Sequence, residues 1–189
     1  MCSAKSLAWL MVPLILGFFV TSVFVQVQIE DPSELMSVNP SGATGSALVA
    51  YHAGLTSFQR DVTLAFARGL AANDWRCDVT TVSREAPTDL SGYGLLVLGA
   101  PTYAFEAAGP VTRYLERLGD LGGVPIVLLV TGAGTTAPAA SALADAVAEA
   151  NGVMIELLEL WKMAPNEEIH GISDAIEIAE QTGASIELP

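Results

Sequence analysis

Tyr93-Gly94-Leu95-Leu96-Val97-Leu98-Gly99-Ala100-Pro101-Thr102-Tyr103-Ala104-Phe105 is the stretch on which the reading of this 189-residue chain turns. Residues 93–99 form a short apolar run bounded by glycine, which predicts a strand buried on both faces. Residues 99–105 then read as a loop carrying a proline, a threonine and two aromatics. A second unbroken run, Val124 to Val130, predicts another such strand. Continuous rather than alternating apolarity suits the centre of a parallel sheet, because helices cover both of its faces.

Working outward, strands and helices alternate. Ala47–Tyr51, Asp78–Val82 and Val153–Leu160 read as three further strands. Between them, Gln59–Ala72 places Val62, Phe66 and Leu70 at a spacing of four, with Ala65 and Gly69 beside them, on one helix face. Pro110–Leu118 is a helix with proline in its first turn. Ala139–Ala150 is another, ended by Gly152. Ser173 to Thr182 is the last, with Ser173 as cap and Asp174 and Glu177 near its positive end. The pattern predicts an α/β fold with a doubly wound, five-stranded parallel sheet. Ligands of such sheets bind beyond the carboxyl ends of the strands, where the strand order reverses. That directs attention to the loops after the first, third and fourth strands.

Several chemistries lack their residues. There is no Walker lysine, no Gly-x-Ser-x-Gly elbow and no third glycine in Gly132-Ala133-Gly134 to make a dinucleotide fingerprint. A phosphorelay receiver needs acids where Ala100 and His52 stand. Two cysteines, Cys2 and Cys77, make no disulfide framework, and no metal-ligand spacing occurs. Cys77, in an alternating run, reads as a buried structural thiol.

From Ser46 to its end the chain resembles the flavodoxins, most sharply in Pro101-Thr102-Tyr103 after an apolar strand ending in Gly99. The resemblance implies sheet order 2-1-3-4-5, FMN bound without a covalent link, and electron transfer with no side chain acting as acid or base. It places Pro101, Thr102, Tyr103 and Phe105 beside the flavin ring. It places Thr131, Gly132 and Gly134 at the pyrimidine edge. Around the phosphate it places Thr56, Ser57 and the helix beginning near Phe58, with His52 as a further donor. The first loop departs from the family's pattern of an aromatic, any residue, Ser or Thr, two residues, Gly, any residue and Thr. Tyr51 fits, but Ala53 stands where a hydroxyl is expected, Thr56 where Gly is usual and Phe58 where Thr is usual. Two other readings therefore stay open: a flavin-free binding or assembly module, and an FMN-dependent quinone or NAD(P)H oxidoreductase.

Upstream, Ser6 to Ile29 contains no charged residue. About 20 apolar helical residues cross the hydrocarbon layer of a bilayer. Residues 1–27 are therefore expected to be an uncleaved single-pass membrane anchor, in contact with lipid. The competing reading is a signal peptide cut near Val20-Thr21-Ser22, but the apolar run is longer than such a segment usually carries. Lys5 precedes the run and Glu30, Asp31 and Glu34 follow it, which predicts a cytoplasmic N-terminus and an external domain. Residues 28–45, rich in Pro, Gly, Ser and acid, read as a flexible linker to a domain over 46–189. Net charge is −13, and 18 of the 21 acidic residues lie beyond Gly45. Such a surface repels nucleic acid and suits a redox partner with a basic surface.

Overall fold

The computed structural model describes residues 4–162 and 174–188. The elements are, in order, α1 (Ala4–Gln28), β1 (Met36–Val38), β2 (Gly45–Tyr51), α2 (Phe58–Ala72), β3 (Trp75–Thr81), β4 (Leu95–Tyr103), β5 (Glu106–Ala107), α3 (Gly109–Leu118), β6 (Pro125–Gly132), α4 (Ala137–Glu149), β7 (Val153–Trp161) and α5 (Ala175–Ser185). Strands run in the order β1-β3-β2-β4-β6-β7, with β5 folded back on β4. From β3 to β7 every neighbouring pair is parallel. This is the expected order, with one antiparallel strand added at the edge.

Alternation along the central strands feeds two cores. Val49, Val97 and Leu129 point to the face covered by α2 and α5, where Phe66, Leu70 and Ile178 meet them. Leu48, Leu96, Leu98 and Leu128 point to the other face, with Tyr114 of α3 and Leu143 and Val147 of α4. Every one of these side chains is fully or almost fully buried. Cys77 belongs to the first core, and burial pushes its thiol up to about 12.

Three expectations are corrected. The stretch 28–45 is fastened along much of its length rather than loose. Met36, Ser37 and Val38 pair with Val79, Asp78 and Cys77. The Thr81 N–H donates to the Ser33 hydroxyl at 2.9 Å, and the Asn39 amide donates to the Trp75 carbonyl at 3.2 Å. The outer edge of β3 would otherwise leave a row of backbone groups unpaired, and this segment satisfies them. Second, most of the expected 99–105 loop is strand. β4 continues to Tyr103 because β5 returns along it, pairing Thr102 with Ala107 and Tyr103 with Glu106. Third, the last helix is capped by Asp174, whose carboxylate accepts the N–H groups of Ile176 and Glu177, each at 3.0 Å. Ser173, expected in that role, lies outside the described residues.

α1 is long and apolar enough to cross a membrane. Met11–Phe18, Phe24 and Val25 are exposed, whereas Val27 and Gln28 lie against the domain.

Candidate functional site

β2 and β4 are neighbours, yet the chain leaves them toward opposite faces of the sheet, to α2 and to α3. The order thus reverses between them, and their carboxyl ends diverge into a crevice. A cavity of about 250 Å³ occupies it. The loop after β2 contributes Ala53, Gly54, Leu55 and Thr56, and the start of α2 contributes Phe58 and Gln59. Pro101, Thr102 and Tyr103 form a second side, Thr131, Gly132 and Ala133 a third, and Lys162, just past β7, closes it.

The floor is a buried polar relay. The Thr131 hydroxyl donates to Gln59 Oε1 at 2.7 Å, and Gln59 Nε2 donates to the Thr63 hydroxyl at 3.1 Å. Beside it, the buried Thr102 hydroxyl oxygen has no protein partner. An unpaired polar atom under a cavity is ready for a ligand group, because leaving it unpaired has a cost. The loop after β6 is held from behind. The Thr136 hydroxyl donates to Glu159 Oε2 at 2.7 Å and accepts from Trp161 Nε1 at 3.0 Å.

The loop after β2 turns at Gly54, φ +74°. A side chain there would be strained and would run into the Tyr103 hydroxyl and Pro101. Tyr103 lies across this loop and accepts the Leu55 N–H at 2.8 Å. Burial raises its pKa, against a smaller lowering from Leu55, so the phenol stays neutral. Ser57 occupies the N-cap position of α2, but its side chain caps nothing. The Phe58 N–H reaches only the Thr56 hydroxyl, at 3.4 Å.

Of the residues singled out from sequence, the fold gathers Thr56, Phe58, Pro101, Thr102, Tyr103, Thr131 and Gly132 around this one cavity. Four others do not line it. Ser57 lies one residue outside the wall. Gly134 lies beyond Ala133, where the loop turns toward α4. His52 is buried on another side, among the charges of Asp31, Arg113 and Glu30, with Nε2 unpaired. Burial first, and Arg113 second, lower its pKa against Asp31 and Glu30. Phe105 points out of the hairpin tip and is 64% exposed, because the two-residue turn after Tyr103 reverses the chain. Sequence reasoning missed Gly54, Leu55, Gln59 and Lys162. Lys162 had a signal, since it follows the last strand at the same carboxyl edge. Gln59 had none, because it reads as an ordinary polar residue in a helix's first turn.

The resemblance read from the sequence implies a flavin, and the lining of the slot is of the kind a flavin ring would need. A narrow, mostly apolar slot has an aromatic side, one ammonium and a hydroxyl in need of a partner. The cavity is smaller than the roughly 300–1,000 Å³ common for small-molecule sites. The Leu55 N–H, in the loop expected to receive a phosphate, is already taken by the Tyr103 hydroxyl.

Neither a protein-family model nor a curated protein matches the sequence significantly. Solved structures do match the fold. An NAD(P)H:quinone oxidoreductase from Methanothermobacter marburgensis aligns over 78% of this chain and 98% of its own, at TM-score 0.58 and 17% identity. A flavodoxin from the domain Archaea aligns over 74% and 94%, at TM-score 0.59 and 12% identity. A Megasphaera elsdenii flavodoxin aligns over 73% and 98%, at TM-score 0.56 and 13% identity. At such identities the likeness is one of fold, and the fold of this chain is flavodoxin-like.

Proposed function

From a flavodoxin-like fold with a slot at its reversal point, we propose that this chain is an FMN-binding redox protein tethered to a membrane by α1. The observation that carries the reading is the wall of the slot: Tyr103 and Pro101 on one side, Gly132 and Ala133 on another, Lys162 at the rim and the unpaired Thr102 hydroxyl below. Bound FMN would supply one- and two-electron transfer, and the protein tunes it. Tyr103 and Pro101 would pack on the ring and exclude water. Thr102 and the Gly132–Ala133 backbone would hold its polar edge. Lys162 would favour negative charge there, against an acidic surface that disfavours it. Thr56 and the first turn of α2 would receive the phosphate, with the helix's positive end toward it. No side chain need serve as acid or base. The acidic surface suits a basic redox partner.

α1 supports a single-pass anchor, and Lys5 against Glu30, Asp31 and Glu34 favours a cytoplasmic N-terminus. Mass spectrometry of membrane-extracted protein tests this: a mature N-terminus near Val23 would make α1 a removed signal.

A second reading has its own observation. The Tyr103–Leu55 bond occupies an N–H of the loop expected to receive the phosphate, as suits a flavin-free binding module. Titration of the protein with FMN, followed by visible absorbance and calorimetry, separates the two. Perturbed flavin bands with saturable heat support the redox protein. Unchanged bands and no heat at micromolar protein leave the binding module.

A further inference from the structure

α1 leaves the domain at the carboxyl edge of the sheet. Its last carbonyl, of Gln28, accepts Arg113 Nη2 at 2.8 Å, and the Gln28 side chain accepts Arg113 Nη1 at 3.1 Å. Arg113 stands near the start of α3, which begins just beyond the carboxyl end of β4. The guanidinium thus satisfies orphan acceptors at the negative end of α1 and pins the helix there. Gln28 is also one wall of a second cavity, of about 740 Å³, whose other walls include the apolar Phe105, Pro138, Ala142 and Leu143 and the charged Glu106 and Arg113.

The hairpin tip beside this cavity presents a large apolar side chain to solvent. Phe105 holds its ring 64% exposed at the tip of the β4–β5 hairpin. It does so in a turn whose two residues, Ala104 at φ +50° and Phe105 at φ +70°, both lie in the left-handed region. Asn and Gly are the usual occupants of such a turn, and strained residues of other types cluster where they serve a function. The headgroup layer is about 5–8 Å deep on each side of the hydrocarbon core. With α1 across a bilayer, Gln28 at its end would lie at that layer, and Phe105 lines the same cavity as Gln28.

We propose that the Ala104–Phe105 turn is a second membrane contact. Phe105 inserts into the interface of the bilayer that α1 crosses, and the headgroup region of that same bilayer covers the partly charged cavity behind it. This rests on the anchor reading above. It would turn the edge that carries the candidate flavin slot toward the membrane surface.

The test uses the full chain in phosphatidylcholine vesicles, with nitroxide-labelled lipid as quencher. The sequence holds three tryptophans, Trp9, Trp75 and Trp161. Quenching lost on Trp9→Phe reports α1. In that background, Phe105→Trp adds an indole at the tip. The expected result is added emission that is blue-shifted, lost most to nitroxide near the headgroups, and shielded from aqueous iodide. If Trp9 is quenched while the indole added by F105W is quenched only by iodide, the anchor stands and the second contact is overturned. A blue-shifted indole immune to both quenchers also overturns it, in favour of burial against the protein itself or a second copy of it. If Trp9 is not quenched and the protein does not float with vesicles, the anchor reading falls and this proposal with it.

Discussion

The Tyr103 hydroxyl accepts a 2.8 Å hydrogen bond from the Leu55 backbone N–H, tying the loop after β2 to the hairpin after β4 across the mouth of the slot. An anion at this loop would have to compete with that bond. A hydrogen bond of this kind is worth about 0.5–1.5 kcal/mol net, a factor of about 2–10 in an equilibrium constant. Tyr103→Phe keeps the ring and frees the N–H, so FMN should bind about 2–10-fold more tightly than to the unaltered protein. Riboflavin, without a phosphate, should gain less. Tyr103→Ala frees the same N–H but loses ring packing worth about 0.5–1.5 kcal/mol, so the two effects nearly cancel. Fluorescence titration of the variants with both flavins checks this ranking. Equal affinities for the Tyr and Phe forms would show that the bond does not gate the site.

Thr131→Val should destabilise the domain by about 1–3 kcal/mol, because it leaves Gln59 Oε1 buried without its donor. The shape is nearly unchanged, so the loss reports the hydrogen bond. Gln59→Leu added to Thr131→Val should recover part of it, since the stranded acceptor is then gone. Urea denaturation of Thr131→Val, Gln59→Leu and the double variant measures these effects, and strictly additive losses would mean that the pair is not coupled.

α2 and α5 cross at two glycines. A Cβ on Gly183 would overlap the Phe66 carbonyl oxygen, and one on Gly69 the Glu180 carbonyl oxygen. Alanine is better than glycine in a helix by about 1 kcal/mol, which alone would stabilise. Here the obstacle is backbone and cannot rotate away, so strain of about 1–3 kcal/mol or more should dominate. Thermal melts should show Gly183→Ala and Gly69→Ala lowering Tm. A raised Tm in either would mean that the helices part at little cost.

Burial tends to raise the Glu30 carboxyl, but hydrogen bonds from Arg113 and Arg117 outweigh it and hold its pKa below the ordinary 4.5. A depressed carboxylate stabilises the folded contact fully above its unfolded value, and the contribution fades as pH falls through the folded value. The clasp between the end of α1 and α3 should therefore hold at neutral pH and loosen below about 4.5. Glu30→Gln should be looser at neutral pH and indifferent to acid, held by the Arg113–Gln28 bonds that remain. Hydrogen exchange of the amides in residues 29–38, measured from pH 7 down to 3.5 and corrected for intrinsic rates, follows this. Protection that is independent of pH and unaffected by E30Q would remove Glu30 from the clasp.

Cys77, buried with its pKa pushed up to about 12, has almost no thiolate at neutral pH. In a Cys2→Ser background a thiol reagent should modify nothing in the native protein and one thiol after denaturation. Rapid native labelling would mean that the α2–β3 core opens readily.

The order of elements was legible in the sequence because it depends on local periodicity. Unbroken apolar runs at Leu95–Leu98 and Ile126–Val130 demand cover on both faces, and the helices between them supply it. The residues of the slot could be guessed from their place after strands, since a parallel sheet brings those ends to one edge. Contacts between distant segments were not legible. Nothing near Met36–Val38 signals a strand, since the reason for it lies in the unpaired edge of β3, some forty residues away. Tyr103 reads as a ring-facing aromatic, yet its hydroxyl is taken by a backbone N–H 48 residues earlier. His52 and Phe105 sit in loops that reach the right edge, but on sides that only packing selects. Local sequence sets which groups need partners, and three-dimensional proximity decides which partner each one finds.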